Sequence, residues 1–359
     1  MITRAKFQCF KSLRDVEVTF DSRLTVIVGP NGAGKTSVLQ GIHFLCEANK
    51  DVLTAQIGGM SEYLSVGAAL ADFVLEVEAG DATGAKTSLT ISATPASKNG
   101  QPIQSQRQPL SFAWRSTAPK VGEWFDRMPP ENAALPLGPA QLIRFDTTAL
   151  ASPTQPKGIP PSVQENGNGL AATLGYLALN QPEQFQAIVS EYKKVIRNVS
   201  RIRFNEQQQG NGTTKSLLFD FLGAPGVRAS LVSSGTLYTL GLLTVILGPN
   251  QPRVILFDDL DHGLHPKAQM ELIEVLRKLL DQYPDLQIIA TSHSPYILDK
   301  LQPNEVRVMA LNDDGSAACA RLEDHPKYPM WKDSMSPGEF WSHAGEDWVK
   351  KLHLEPVAQ

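Results

Sequence analysis

A short glycine-rich segment carries the strongest chemical signal in this sequence. Residues 29–36 read Gly-Pro-Asn-Gly-Ala-Gly-Lys-Thr and match G-x-x-x-x-G-K-[ST] at every fixed position. Glycines let successive backbone N–H groups turn toward phosphate oxygens, and the following helix presents its positive end. Lys35 adds a point charge for the terminal phosphates. The segment predicts an ATP site, with these binding residues: Asn31, Gly32, Ala33, Gly34, Lys35, Thr36 and Ser37.

Two carboxylates follow a second apolar segment. Residues 254–257 read Val-Ile-Leu-Phe and end in Asp258 and Asp259. A buried parallel strand carries the residues at its carboxyl end to the sheet edge where ligands bind. We therefore expect Asp258 and the Thr36 hydroxyl to hold Mg²⁺, with water completing its shell, and Asp259 to polarise the attacking water. Many strands end in aspartate simply because aspartate suits turns. The functional interpretation of this pair therefore depends on its occurrence together with the phosphate loop.

The elements that must position these residues alternate between short apolar strands and helices. The predicted buried strands cover residues 24–28, 254–257 and 286–290. The predicted helices around them cover residues 37–47, 235–247 and 267–282. Alternating apolar residues at 16–20 and within 66–92 indicate an antiparallel β part near the N-terminus. Together these patterns predict an α/β fold with a largely parallel central sheet.

The middle of the chain carries no recognisable motif. Residues 93–140 are rich in proline, which predicts loops and edge strands, and residues 147–169 are the best candidate linker. Two helices are predicted at 170–179 and 182–199. We therefore expect one head over residues 1–359, divided into an N-terminal lobe (about 1–150), a linker with a small helical insertion (151–230) and a C-terminal lobe (231–359).

Composition and charge limit the class of protein. The chain has 359 residues, 42% of them hydrophobic, and a net charge of −4, which argues against a broad basic nucleic-acid surface. No apolar run is long enough to span a bilayer, and the first residues lack the pattern of a signal peptide. A cytoplasmic protein without a membrane partner is expected. Cys9, Cys46 and Cys319 are scattered and are expected to be reduced thiols.

Further segments occur in a recognisable order. They are Phe10-Lys11-Ser12-Leu13, then Val-Ser-Ser-Gly-Thr-Leu at 232–237, Asp-Asp-Leu-Asp-His-Gly-Leu-His-Pro at 258–266 and Thr-Ser-His-Ser-Pro at 291–295. The second resembles the ABC signature motif and the third the D-E-x-E-N-G-L-H-P run of RecF-like and OLD-like AAA ATPases. The last looks like the switch-histidine segment. The chain thus resembles a stand-alone P-loop NTPase head of the ABC, SMC and RecF type.

That resemblance implies roles for matched residues. Ser233 and Gly235 would contact the γ-phosphate of ATP held by a second copy. His293 would bind this phosphate and help position water, and Asp261 would lie in the D-loop at the dimer interface. Two copies would therefore form a homodimer with composite ATP sites.

The chain also departs from the family pattern. Asp259 and Asp261 stand where relatives have glutamate, and Tyr238 stands where RecF-like relatives often have arginine. Aspartate is one methylene shorter, and a displacement of about 1 Å can lower a rate on the order of 100-fold, so slow hydrolysis is expected. Gln141 is the candidate for the Q-loop.

The biological partner stays open at this stage. No heptad run exists to form a long coiled-coil arm. A head of this kind would control a separate effector protein through ATP-dependent dimerisation, for example in anti-phage defence. The alternatives are a RecF-like repair module that binds DNA directly, and a slow-turnover sensor or structural protein.

Two surface features bear on these alternatives. A solvated helix face is favoured over DNA contact for the following basic cluster: Lys193, Lys194, Arg197, Arg201 and Arg203. The tail at 336–352 is expected to be a capping helix that presents Trp341 and Trp348 on one face. For these two side chains, core packing is favoured over a protein interface.

Overall fold

The computed structural model describes most of the chain and divides it into two compact units. The residues described are 1–47, 73–80, 86–93, 97–98, 101–102, 110–116, 139–156, 158–209 and 212–354. Unit 1 comprises Met1–Ala140, Arg253–Leu256 and Asp285–Gln359, and unit 2 comprises Gln141–Pro252 and Phe257–Pro284. The lobe boundaries near residues 150 and 231 stay a prediction.

The strands and helices follow in chain order. The strands are β1 (Ile2–Phe10), β2 (Leu13–Thr19), β3 (Leu24–Val28), β4 (Val74–Gly80), β5 (Lys86–Ala93), β6 (Ser97–Lys98), β7 (Gln101–Pro102), β8 (Leu110–Ser116), β9 (Ala140–Ile143), β10 (Val199–Gln209), β11 (Gly212–Phe221), β12 (Ala224–Arg228), β13 (Val254–Phe257), β14 (Gln287–Thr291), β15 (Val306–Leu311) and β16 (Ala317–Arg321). The α-helices are α1 (Lys35–Glu47), α2 (Thr147–Ala151), α3 (Leu170–Asn180), α4 (Pro182–Val195), α5 (Ser234–Leu247), α6 (Pro266–Gln282), α7 (Pro295–Leu298), α8 (Tyr328–Trp331), α9 (Pro337–Ala344) and α10 (Asp347–Leu354).

Unit 1 contains the antiparallel sheet that the N-terminal alternation predicts. Its strand order is β2-β1-β4-β5-β8. In the first pair, Phe7 lies opposite Val16 and Ala5 opposite Val18, and all four side chains are buried. Charged residues alternate with them, as the period of two requires. Much of the predicted loop region at 93–140 lies outside the described residues.

A second group of strands in unit 1 supplies the parallel core. β3 pairs in parallel with both β14 and β15, and every residue of β3 and β14 is buried. Continuous burial explains why these strands read as short apolar runs. β16 then pairs with β15 in the antiparallel direction. These pairings set the carboxyl ends of β3 and β14 at the same edge.

Unit 2 combines helices with a small sheet. Nearly every residue of α5 is buried, from Gly235 through Leu247, as its uniformly apolar sequence predicts. The antiparallel order β10-β11-β12 lies in the segment predicted as a small helical insertion. That prediction is incomplete, because β10 is largely polar and its strand character comes from pairing with β11.

The C-terminal tail differs from the single helix predicted over 336–352. It forms α9 and α10, and the chain turns at Gly345, where φ is 60° and ψ is −155°. A residue with these angles ends a helix, and glycine adopts them without a Cβ clash. Trp341 and Trp348 therefore lie on different helices. Trp348 is buried against His325, with ring centroids 4.9 Å apart.

Candidate functional site

The glycine-rich loop has the backbone shape that its sequence predicts. Gly29, Gly32 and Gly34 all have positive φ. A Cβ on Gly29 would lie 2.2 Å from the Met309 carbonyl oxygen, and one on Gly34 would lie 2.7 Å from the Ser12 hydroxyl oxygen. Two of the glycines are therefore required by close packing as well as by backbone conformation.

Lys35 reaches back across the loop that precedes it. Its Nζ donates hydrogen bonds to the carbonyl oxygens of Gly29 (2.9 Å) and Pro30 (3.0 Å), and the residue is buried. These carbonyl oxygens stabilise the ammonium group in the loop, and its positive charge beside the N-terminal end of α1 favours an anion there. The remaining predicted ATP-binding residues flank it: Asn31 and Gly32 are exposed, Ala33 is buried, and Gly34, Thr36 and Ser37 are half-buried.

His293 lies at the sheet edge from which this loop also leaves. Thr291 of β14 pairs with Ile27 of β3, and the Ser292 N–H donates to the Ile27 carbonyl at 3.1 Å. His293 is exposed, whereas Ser292 beside it is fully buried and accepts the Ser294 N–H through its hydroxyl. Unit 1 thus places the phosphate loop and the histidine at the ends of neighbouring parallel strands.

The two carboxylates that follow β13 lie in unit 2. The Asp258 N–H donates to the Ile143 carbonyl at 2.9 Å, and Arg144 Nε lies 3.8 Å from Asp258 Oδ2. Asp259 is exposed and has a φ of 59°, in the left-handed region. Aspartate tolerates this region better than most residues do. Nothing in the sequence around Arg144 marks it as a neighbour of Asp258.

The signature and D-loop segments contact each other in unit 2. A Cβ on Gly235 would lie 2.3 Å from the Gly263 carbonyl oxygen, and Gly263 itself has a φ of 67°. Ser233 is the exposed N-cap of α5, with its hydroxyl 2.7 Å from that of Thr236. Asp261 is half-buried two residues before Gly263. Two glycines therefore bring the start of α5 onto the D-loop backbone, and the Gly-Leu-His-Pro run was the available signal for Gly263.

Tyr238 has a structural place beside the D-loop. Its hydroxyl donates to the Phe145 carbonyl, and its ring stacks on His262 with centroids 4.7 Å apart. Burial raises the pKa of Tyr238, and the negative charges of Asp146 and Asp259 act in the same direction. The phenol therefore stays neutral and works as a hydrogen-bond donor in this position.

Two further predicted features have local partners in unit 2. Gln141 Nε2 donates to the Val163 carbonyl at 2.8 Å, and its Q-loop role stays a prediction. Several side chains of the basic cluster contact acidic groups or carbonyls: Lys194 with Glu191, Arg197 with Glu271, Arg203 with Asp220, and Lys193 with the Ser200 carbonyl. The ion pairs of Lys194, Arg197 and Arg203 partly neutralise the charge that a DNA contact would use.

Known protein families and solved structures resemble this chain in sequence and in fold. A family model described as "AAA domain" matches residues 5–93, and one described as "AAA domain, putative AbiEii toxin, Type IV TA system" matches residues 165–299. The crystal structure of an SMC head bound to the C-winged helix domain of ScpA covers 90% of this chain and 98% of its own, with a TM-score of 0.58 and 13% identity. That likeness confirms the predicted α/β P-loop fold.

Two relatives share shorter segments. Septu protein PtuA of Bacillus thuringiensis is 35% identical over 69 residues, which are 19% of this chain and 17% of the relative. The retron Vc95 probable ATPase of Vibrio cholerae serotype O1 biovar El Tor is 26% identical over 121 residues, or 32% of this chain and 19% of the relative. The matched segments thus span less than a fifth of either relative.

These findings define the class of protein. Two segments of the chain match AAA-domain family models, and its fold is that of an SMC-type ATPase head. Its ATPase-type domain has homologues among Septu and retron proteins. Within the residues that the structure describes, no helix is both long and apolar enough to cross a bilayer.

Proposed function

We propose that this protein binds ATP with Mg²⁺, hydrolyses it to ADP and phosphate, and uses ATP to join two copies into a dimer that controls a separate effector. The geometry of the phosphate loop carries this proposal. Gly29 and Gly34 cannot hold a side chain, and the Lys35 ammonium group is buried among loop carbonyls. The strained backbone and the buried charge of such a loop destabilise the fold unless an anion binds there.

Binding of ATP follows from the charges in the loop. Triphosphate oxygens would accept hydrogen bonds from backbone N–H groups of the loop and of the first turn of α1, and from the Lys35 ammonium group. The Thr36 hydroxyl and Asp258 are the proposed Mg²⁺ ligands. The described residues contain no cluster of three side chains able to hold a metal ion. One hydroxyl and one carboxylate would leave the other positions around Mg²⁺ to water and to nucleotide oxygens.

Hydrolysis is assigned to an exposed carboxylate and an exposed imidazole. Asp259 would accept a proton from the attacking water, and His293 would donate a hydrogen bond to the γ-phosphate and orient that water. Asp259 has a left-handed backbone conformation directly after the strand end and is exposed. Slow turnover is expected from the missing methylene.

The proposal of a dimer rests on the signature segment at 232–237, which is exposed at Ser233 and closely packed at Gly235. Ser233 is exposed, while Gly235 behind it is locked onto Gly263 of the D-loop. A fixed helix start with an exposed N-cap suits the γ-phosphate of ATP bound to a second copy, because the helix dipole favours negative charge there. Asp261 of the same D-loop would lie at this interface.

The effector is proposed to be a separate protein in cytoplasmic anti-phage defence. Similarity to Septu protein PtuA and to the retron Vc95 probable ATPase supports this direction. The SMC head that shares this fold is bound to a separate chain, the C-winged helix domain of ScpA, which supports a head that contacts another protein. The partly neutralised basic cluster gives no support to the alternative of direct DNA binding.

Measuring nucleotide binding by the Lys35→Ala variant tests the proposed ATP site. The variant should lose measurable Mg-ATP affinity and phosphate release while its circular dichroism and melting temperature stay near those of the parent. Lys86→Ala, an exposed lysine on β5, is the matched control and should bind ATP normally. A folded Lys35→Ala protein with parental affinity and turnover would refute the ATP site.

A further inference from the structure

The C-terminal helix α9 packs directly on the short helix that follows His293. A Cβ on Gly338 would lie 2.1 Å from the Pro295 carbonyl oxygen and 2.4 Å from Asp299 Oδ1. Distances this short mean that the backbone of α9 touches α7 with no side chain between them. Only glycine at position 338 permits this approach, so the contact is specific.

A carboxylate fixes the same junction from the other side. Asp299 Oδ1 accepts hydrogen bonds from the Ser336 hydroxyl (2.6 Å) and the Gly338 N–H (3.0 Å). Asp299 is also the residue that ends α7. The Asp299 backbone thus caps α7, and its carboxylate accepts from a donor in the first turn of α9 that has no partner within its own helix. Charge-assisted bonds of this length are stronger than neutral ones.

His293 therefore lies between two fixed supports. On its N-terminal side, Ser292 is fully buried and bonded to the Ile27 carbonyl of β3. On its C-terminal side, Pro295 begins α7, whose backbone rests on Gly338. His293 itself is exposed. Displaced, α9 would press on α7, which begins two residues after His293.

We propose that α9 is a clamp that sets the position of His293, with Asp299, Ser336 and Gly338 as positioning residues. This inference rests on the proposed function, because it gives His293 a role at the γ-phosphate. The clamp makes turnover sensitive to the C-terminal helices, which lie 40 or so residues away in sequence. It leaves ATP affinity largely to the phosphate loop.

A double-mutant cycle on turnover tests the clamp. Gly338→Ala should lower turnover at saturating Mg-ATP by about 10- to 100-fold, since a catalytic group displaced by about 1 Å costs roughly that much. Its dissociation constant for ATP should change by less than about twofold. In a His293→Ala background, Gly338→Ala should have almost no further effect, because residues acting through one another are not additive.

Companion variants and a second readout keep the test decisive. Ser336→Ala and Asp299→Asn take the place of Gly338→Ala if that variant fails to fold, and Lys350→Ala on α10 is the control expected to behave like the parent. The His293 ring resonance, assigned by its loss in His293→Ala, should shift in the clamp variants without nucleotide present. This signal does not depend on catalysis.

Each outcome has a clear meaning. An equal loss of turnover from Gly338→Ala in both backgrounds would show that α9 supports the fold and not His293. An unmoved His293 resonance together with parental turnover would also overturn the clamp. Parental turnover in His293→Ala would remove the histidine role and the clamp, while ATP binding and hydrolysis by the parent protein would still stand.

Discussion

Asp259 combines an unusual backbone conformation with the role proposed for it in catalysis. Its φ of 59° is held by a turn in which the His262 N–H donates to the Asp259 carbonyl at 3.0 Å. Replacing this residue separates the two properties. Asparagine keeps the shape and the tolerance for this conformation but removes the charge. Alanine removes both the charge and the tolerance, and glycine removes the charge and any backbone strain.

The size of each effect follows from these differences. The left-handed conformation destabilises an ordinary L-residue by roughly 1–2 kcal/mol, and it destabilises aspartate and asparagine less. Asp259→Asn should therefore change the free energy of unfolding by less than about 0.5 kcal/mol, and Asp259→Ala should lower it by about 1 kcal/mol. In Asp259→Gly the relief of strain is offset by about 0.5–1 kcal/mol of added chain entropy in the unfolded state. Turnover should fall on the order of 100-fold or more in all three variants.

Urea denaturation and a phosphate-release assay on the same preparations measure both quantities. Stability should rank Asp259→Asn with the parent and above Asp259→Ala, while all three variants bind Mg-ATP. Parental turnover in Asp259→Asn would refute the assignment of Asp259 as the catalytic carboxylate. Equal stability of the alanine and asparagine variants would refute the argument from backbone conformation.

Further predictions concern the packing of both units. Gly235→Ala should lower the free energy of unfolding by about 1–3 kcal/mol through its clash with Gly263, offset by about 1 kcal/mol of helix preference, as urea titration would measure. Burial opposes ionisation of Glu191, but hydrogen bonds from Lys194 and Lys278 lower its pKa overall, so its stabilisation is present above its ordinary pKa of 4.5 and is lost as pH falls below it. Glu191→Gln should flatten this acid dependence in melting experiments. Burial also lowers the pKa of His325, so stability should be present above its ordinary value of 6.5 and fall with acidification through the lowered pKa, less steeply in His325→Gln.

Results opposite to these have specific meanings. A Gly235→Ala variant as stable as the parent would mean that the signature and the D-loop do not touch closely in solution. An unchanged acid slope in Glu191→Gln would mean that the bonds to Lys194 (2.6 Å) and Lys278 (2.8 Å) do not persist. An unchanged slope in His325→Gln would place the imidazole in water, away from Phe340 and Trp348.

Several elements could be predicted because their signals are local. The strand at 254–257 has the predicted bounds, since four consecutive apolar residues lie between Arg253 and Asp258. The phosphate loop could be located for a similar reason, because its glycines and lysine have fixed spacing. The backbone of Gly29 and Gly34 then adopts the positive φ values that such spacing requires.

Other features depend on residues far apart in the chain. β10 contains the run Glu206-Gln-Gln-Gln, and only its pairing with β11 makes it a strand. The apolar spacing of Trp341 and Trp348 predicts one helix across the tail, but the backbone turns at Gly345. The contact of Asp299 with Ser336 spans 37 residues, and no periodicity signals it.

The mass of the protein in solution with and without Mg-ATP tests the central claim most directly. Asp259→Asn should bind ATP without consuming it, so size-exclusion chromatography with light scattering should show a dimer with Mg-ATP and a monomer without it. Adding Ser233→Arg places a bulky side chain at the start of α5 and should keep the protein monomeric in both conditions. ATP-dependent dimerisation that is unaffected by Ser233→Arg, or the same mass in every condition, would contradict a homodimer joined through composite ATP sites.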